Sequence, residues 1–261
     1  MEDVVAEHTC CSEGKELRLA GVFDGHNGPR ASAFLGQRLL PAVASGLNSV
    51  MGTVFDEEDV RSTMVGAFKN VENELLITAG TQSFNDGSTA CLLAVVGREH
   101  LVCANCGDSR VVLVSGRSAG RGSFPLQVER LSVDHKVESE RERVIAAGGD
   151  LRFQGVWRVV IDHMAICVSR SFGDLQFKHG PSLPRGEALI LCTPHVTVRP
   201  LRPEHTCVVL ASDGLWDVVT DEQVGQIVCD ALTRGRHARW TNESAKTCAR
   251  ALVEHAIAAQ T

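Results

Sequence analysis

Three short apolar runs in this chain each stop at a carboxylate. Leu19 to Phe23 leads into Asp24-Gly25-His26, Leu101 to Cys106 into Gly107-Asp108, and Cys207 to Ala211 into Ser212-Asp213-Gly214. A strand that ends in an acid, a histidine and glycines offers oxygen and imidazole groups at a surface, and lets the backbone approach a ligand closely. Taken singly, an Asp-Gly pair is most often only a turn. Taken together, hairpin neighbours in one sheet would gather these strand ends. Carboxylates so gathered repel unless a cation joins them. Hard divalent ions, Mg²⁺ or Mn²⁺, suit an all-oxygen set. Two such ions about 3.5–4 Å apart can bind a phosphoryl group and supply hydroxide for in-line attack. The residues by themselves predict an acidic metal site.

The elements that must carry these residues read as a layered α+β arrangement. Residues 3–18 are polar and predict irregular chain, with strand character near Val4-Val5 and again from Leu17. Pro29 opens a helical pattern whose buried side is Ala33, Phe34, Leu35, Leu39 and Val43. Asp56-Glu57-Glu58-Asp59 suits the start of a second helix, with Val60, Met64, Phe68, Val71 and Leu75 on one face and Gly80 as its stop. Strands at 90–96, 101–106, 111–114 and 126–131 are separated by short polar breaks, which predicts antiparallel hairpins. A charged helix over 138–147 ends at Gly148-Gly149, and strands follow at 156–168, 188–198 and 206–211. Helices at 221–232 and 244–257 close the chain. The second carries a stripe of Ala245, Cys248, Ala249, Leu252, Val253, Ala256 and Ile257. Helices, then many hairpin strands, then helices predict one α+β domain over residues 1–261.

Composition narrows the field of partners. The 261 residues are 44% hydrophobic and 22% charged, as in an ordinary globular protein. A formal net charge of −6 gives no basic excess for nucleic acid or an anionic membrane. The start Met1-Glu2-Asp3 lacks the pattern of a signal peptide. The ten cysteines sit largely inside apolar runs, which predicts free thiols in a reducing, cytoplasmic or nuclear setting. Cys103 and Cys106 form a C-x-x-C, but three residues along a strand put them on opposite faces, so no zinc site is expected. Gly116-Arg-Ser-Ala-Gly120 matches a nucleophile-elbow pattern, yet it sits in a loop within a hairpin region and reads as a chance match.

Several ordered pieces carry a family signature. They are Met1-Glu2-Asp3, Val22-Phe-Asp-Gly-His-Asn-Gly28, Gly87-Ser-Thr-Ala90, Asn105-Cys-Gly-Asp-Ser-Arg110, Asp134-His-Lys136 with Ala147-Gly-Gly149, Val168-Ser-Arg-Ser-Phe-Gly-Asp174 and Leu210-Ala-Ser-Asp-Gly-Leu-Trp-Asp-Val218. In that order they resemble the metal-dependent serine/threonine protein phosphatases, the PPM or type 2C family. The resemblance implies an α-β-β-α sandwich of two antiparallel sheets flanked by helices, with a centre of two Mg²⁺ or Mn²⁺ ions and a weaker third. It implies hydrolysis of phosphoserine and phosphothreonine in phosphoprotein substrates, by a monomer. Asp24 resembles the carboxylate that bridges two ions, Gly25 the residue whose carbonyl binds one, and Asp213 a further ligand. Glu2 and Asp3 resemble the acidic pair around the inner waters, and Asp108 and Asp217 match the third-ion positions. His26 resembles the general acid for the leaving oxygen. Arg170 and Asp174 read as structural supports, and the helix and loop over 134–155 as the variable flap that shapes substrate choice.

The sequence departs from that family at several points. Asn27 stands where glycine is usual, and Thr193-Pro194 where an acidic-Pro pair is common. The family has an arginine before its Met-Glu-Asp motif and a final strand bearing another aspartate ligand. Neither lies within residues 1–261, so the first and last strands of the sandwich are expected to be absent here. This leaves one alternative open, a catalytically impaired relative that binds phosphoproteins as a scaffold.

Overall fold

The structure, a computed structural model, describes residues 2–12, 15–50, 55–117, 124–179, 183–234 and 241–260. The chain opens with a hairpin, β1 (Val4–Ser12) and β2 (Lys15–Phe23), paired from Val4 opposite Phe23 to Ser12 opposite Lys15. This corrects the irregular reading of 3–18: cross-strand pairing orders a polar strand whose own pattern is weak. The two-residue β3 (Gly25–His26) leads to helix α1 (Arg30–Val50). Its buried face includes Leu35, Leu39 and Val43 as expected, but Ala31 is buried and Ala33 is exposed.

Helix α2 (Glu57–Gln82) starts at Asp56, whose Oδ1 accepts from the amides of Glu58 and Asp59 at 2.8 and 3.0 Å. It runs past Gly80 and is ended by Ser83, which takes the left-handed φ of 55°. An exposed glycine costs a helix about 1 kcal/mol and does not by itself stop one. Then come β4 (Gly87–Ser88), β5 (Ala90–Val96), β6 (His100–Cys106), β7 (Arg110–Arg117) and β8 (Phe124–Arg130). The loop expected at Gly116–Gly120 begins as strand, and residues 118–123, with most of that motif, lie outside the described residues.

The predicted 138–147 helix is a 3₁₀ turn (Val137–Glu140) followed by α3 (Arg141–Ala146). Strand β9 (Asp150–Gln154) pairs with β10 (Val156–Ile161), which pairs with β11 (Met164–Ile166). The supposed loop before Val156 is thus a strand, and the single run over 156–168 is two. After β12 (Phe172–Gly173), strand β13 covers His195–Pro200, not 188–198. Strand β14 (His205–Ala211) then leads to α4 (Asp213–Trp216), α5 (Asp221–Arg234) and α6 (Asn242–Gln260).

Two antiparallel sheets pack face to face, ordered β1-β2-β5-β6-β13 and β14-β7-β8. Alternation along β5 and β6 builds two interfaces from one pair of strands. Cys91, Leu93, Leu101 and Cys103 meet Val111, Leu113 and Leu131 between the sheets, while Leu92, Ala94, Val102 and Ala104 pack under α1 and α2. Cys103 and Cys106 accordingly fall in different clusters, and no disulfide joins cysteines among the described residues. Val112 packs outward with Val224, Val228, Cys248, Leu252 and Ala256 of α5 and α6. Of the stripe expected on α6 only Cys248, Leu252 and Ala256 are buried, and Val253 and Ile257 stand exposed because the helix buries one narrow line, chiefly against α5. The layers are α-β-β-α, an α+β fold. No helix among the described residues is long and apolar enough to cross a membrane.

Candidate active site

The register of the strands explains how distant carboxylates meet. Strands β2 and β6 both pair antiparallel with β5, so both end at the same edge of the larger sheet. The turn Gly107-Asp108-Ser109 then carries the chain across to β7 in the facing sheet. Ala211, the last residue of β14, pairs with Arg110, the first of β7, which brings Asp213 beside Asp108. The carboxylates therefore come from two facing sheets, not from hairpin neighbours in one.

Thr89 ties two of these ends together. Its amide donates to the Asp24 carbonyl at 2.9 Å, its Oγ1 accepts from the Asp24 amide at 3.2 Å, and that oxygen lies 2.7 Å from Ser109 Oγ. Burial, then the charges of Asp213, Asp3 and Asp108, push the Asp24 carboxyl up to about 7. Burial and Asp213 push Asp108 up to about 6, against the pull of Lys136.

The remaining expected residues divide. Asp3 is exposed, contributes to the field at Asp24, and accepts from Ser212 Oγ at 3.0 Å. Glu2 approaches through its backbone: its carbonyl accepts from Ser32 Oγ and lies against Gly25, where a Cβ would stand 2.7 Å from both oxygens. Only glycine fits there. Asp217 is more exposed, its Oδ1 3.3 Å from Lys136 Nζ. Asn27 takes a φ of 59°, a left-handed conformation that asparagine tolerates, which accounts for its standing in a glycine's place.

His26 is held by a residue 148 positions away. Its Nε2 lies 2.9 and 2.8 Å from the two oxygens of Asp174, which is wholly buried and also accepts from Ser171 Oγ at 2.5 Å. Burial opposes a charge on His26, but the charge and hydrogen bond of Asp174, then Asp24 and Asp108, outweigh it and raise its pKa above the usual imidazole value. Gly87 lies flat against this pair, and a Cβ there would come within 2.2 Å of both Asp174 Oδ2 and His26 Nε2. The loop bearing Asp174 is fixed in turn: Glu72 accepts from the Gly173 amide at 3.0 Å, and Lys178 bonds both Glu72 and the Ser171 carbonyl. Asp174 is thus the support for His26. Thr89, Ser171, Glu72 and Lys178 went unassigned in the sequence reading, because none lies near His26 or Asp24 in the chain.

The donor chemistry fits a hard divalent ion. Every group is an oxygen, and the burial and neighbouring carboxylates that raise the Asp24 and Asp108 pKa values are both costs of charging them that a cation relieves. Among the described residues no three His, Cys, Asp or Glu side chains are grouped so as to hold an ion as they stand.

The family model described as "Protein phosphatase 2C" matches residues 1–261. The chain is 34% identical over 236 residues to "Probable protein phosphatase 2C 63" of Arabidopsis thaliana, covering 80% of this chain and 59% of that protein. It is 32% identical over 210 residues to "Protein phosphatase 2C homolog 2" of Schizosaccharomyces pombe, covering 80% and 51%. It spans between 45% and 65% of the length of the curated relatives compared. The crystal structure of serine-threonine phosphatase 2C from Toxoplasma gondii superposes with a TM-score of 0.75 at 21% identity, over 99% of this chain and 89% of that one. A Caenorhabditis elegans sex determining protein gives 0.72 at 22%, over 99% and 58%. These two likenesses are of fold, and the family model runs from end to end of the sequence: the chain belongs to the protein phosphatase 2C family.

Proposed function

We propose that the protein hydrolyses phosphoserine and phosphothreonine in phosphoproteins at the Asp24–Asp108–Asp213 centre. The observation that carries this is a half-buried aspartate, Asp24, gathered with Asp213, Asp3 and Asp108 beside a histidine fixed by a buried acid. Asp24, the Gly25 carbonyl and Asp213 would hold two Mg²⁺ or Mn²⁺ ions, with Glu2 and Asp3 around them and Asp108 and Asp217 toward a third. Bound ions supply Lewis-acid stabilisation of the phosphoryl oxygens and acidify water.

The chain's own groups then manage the proton. As a water oxygen bonds to phosphorus, the bond from phosphorus to the serine or threonine oxygen breaks. His26 gives that oxygen a proton, and the surplus proton of the attacking water passes to solvent. Asp174 occupies Nε2, so the proton offered is on Nδ1. Asp174 also keeps the imidazole charged and aimed, as a carboxylate partner does. Relatives named as protein phosphatases support the reading, and no feature of the site adds weight to a scaffold role. We place the activity in the cytoplasm or nucleus, with a monomer acting alone.

The test is phosphate release from a phosphothreonine peptide by the full-length protein. Release in millimolar Mn²⁺ should stop with EDTA, and Asp24→Asn should lower it at least about a hundredfold, the scale of an interaction made only in the transition state. Full activity in Asp24→Asn would sink the assignment.

A further inference from the structure

Beside the carboxylate centre, between α2 and the segment following β8, lies an open cavity of about 410 Å³. It sits at the same end of the sandwich. His195, on its wall, pairs with Asn105 near the end of β6, and His135, also on its wall, donates its amide to the Gly107 carbonyl at 3.0 Å. One residue further along the chain from Gly107 is Asp108. A peptide whose phosphorylated residue reached the centre would have this cavity within a few residues' span.

The walls carry positive charge. Arg61 and Val65 line it from α2, and Arg170 and Glu140 from the opposite side. Glu140, the one carboxylate among the described lining residues, is bound by both Arg170 and Arg143, so its charge is more than answered. Arg170 spends three of its five N–H groups on Glu140 and the Thr193 carbonyl, which leaves donors for a ligand. Arg61 donates to the Val196 carbonyl and lies 3.7 Å from an exposed Glu57, a weak partner in water. The field is registered by His195, held below the usual imidazole range first by burial and then by Arg61, Arg170 and Arg199.

Resting on the phosphatase reading above, we propose that this groove is a specificity subsite that receives an acidic side chain, glutamate or aspartate, flanking the phosphorylated residue of a protein substrate, with Arg61 and Arg170 as its partners. The volume suits one or two side chains and is too small for a folded domain. A guanidinium facing a carboxylate in a half-closed groove discriminates in favour of acidic segments and against basic ones.

The experiment uses fluorescein-labelled peptides that carry a non-hydrolysable phosphonate in place of phosphothreonine, with glutamates flanking it or with glutamines in the same places. Anisotropy titrations in Mn²⁺ should give the glutamate peptide about three- to tenfold tighter binding. Arg61→Glu should erase the difference. Val65→Glu, which breaks no bond and places a carboxylate on the same wall, should do the same where Arg61→Glu disturbs β13. Equal affinity of both peptides for the wild type, or a preference that survives Val65→Glu in a folded protein, overturns the proposal. Failure of the phosphatase reading looks different: no phosphate is released from the hydrolysable peptides, yet the glutamate preference in binding stands.

Discussion

Replacing Lys178 by methionine tests how the loop behind His26 is held. The Lys178 side chain is 5% exposed and that of its partner Glu72 is 4% exposed. Lys178→Met keeps the length and apolar stem but leaves the Glu72 carboxylate buried without its cation, and the Ser171 carbonyl without a donor at 2.6 Å. Breaking one side of a buried pair costs about 3–5 kcal/mol, a large part of a whole stability of about 5–15 kcal/mol. The Gly173 amide still needs Glu72, so removing both charges is best done with Lys178→Met/Glu72→Gln, which leaves an oxygen for that amide. Urea unfolding followed by circular dichroism should show the single variant losing about 3–5 kcal/mol. The double variant should recover at least about 2 kcal/mol of it, a coupling expected of groups in contact. A single-variant loss below about 1 kcal/mol, or costs that simply add in the double variant, would refute the idea that an unpaired buried charge is what hurts.

Three other outcomes follow from the geometry. Gly87→Ala should lower kcat at least about a hundredfold while the fold melts cooperatively, because its methyl group must push apart His26 and Asp174; near-normal turnover would show that their contact does not matter. His26→Ala should slow alkyl phosphates far more than p-nitrophenyl phosphate, whose leaving group needs no proton, and equal slowing would argue against His26 as the acid. Glu140, with Arg170 and Arg143 outweighing its burial, is held down at about 2 from an ordinary 4.5. A depressed carboxylate stabilises the fold above its unfolded pKa and loses that stabilisation as pH falls through the folded one. Glu140→Gln should therefore cost about 2–3 kcal/mol at neutral pH, at about 1.4 kcal/mol per unit with some discount for screening. That deficit should shrink between pH 4.5 and about 2 and vanish below, and a constant deficit across this range would refute the linkage.

Local chemistry was legible in the sequence wherever the deciding contacts are near in the chain. The helix stripe of Val60, Met64, Phe68, Val71 and Leu75 is buried as read, because a helix face is set by spacing alone. The strands that stop at Asp24, Asp108 and Asp213 were likewise visible, since an apolar run meeting Asp and Gly is a local pattern. Where the deciding partner is remote, the reading failed. Strand β1 is polar and is ordered by pairing with β2, and the α6 stripe is buried only along the line that packs chiefly against α5.

The site divides in the same way. By itself the sequence named the candidate residues and their order, and showed that their oxygens would suit a hard cation. Only the tertiary structure decided that Asp108 and Asp213 come from facing sheets, through the pairing of Arg110 with Ala211. It also decided that Asp174, 148 residues away, holds His26, and that Gly87 must lie flat against that pair. The physical reason is that register and sheet packing are fixed by side chains burying on both faces of β5 and β6 at once, and no stretch of sequence contains both halves of such an interface.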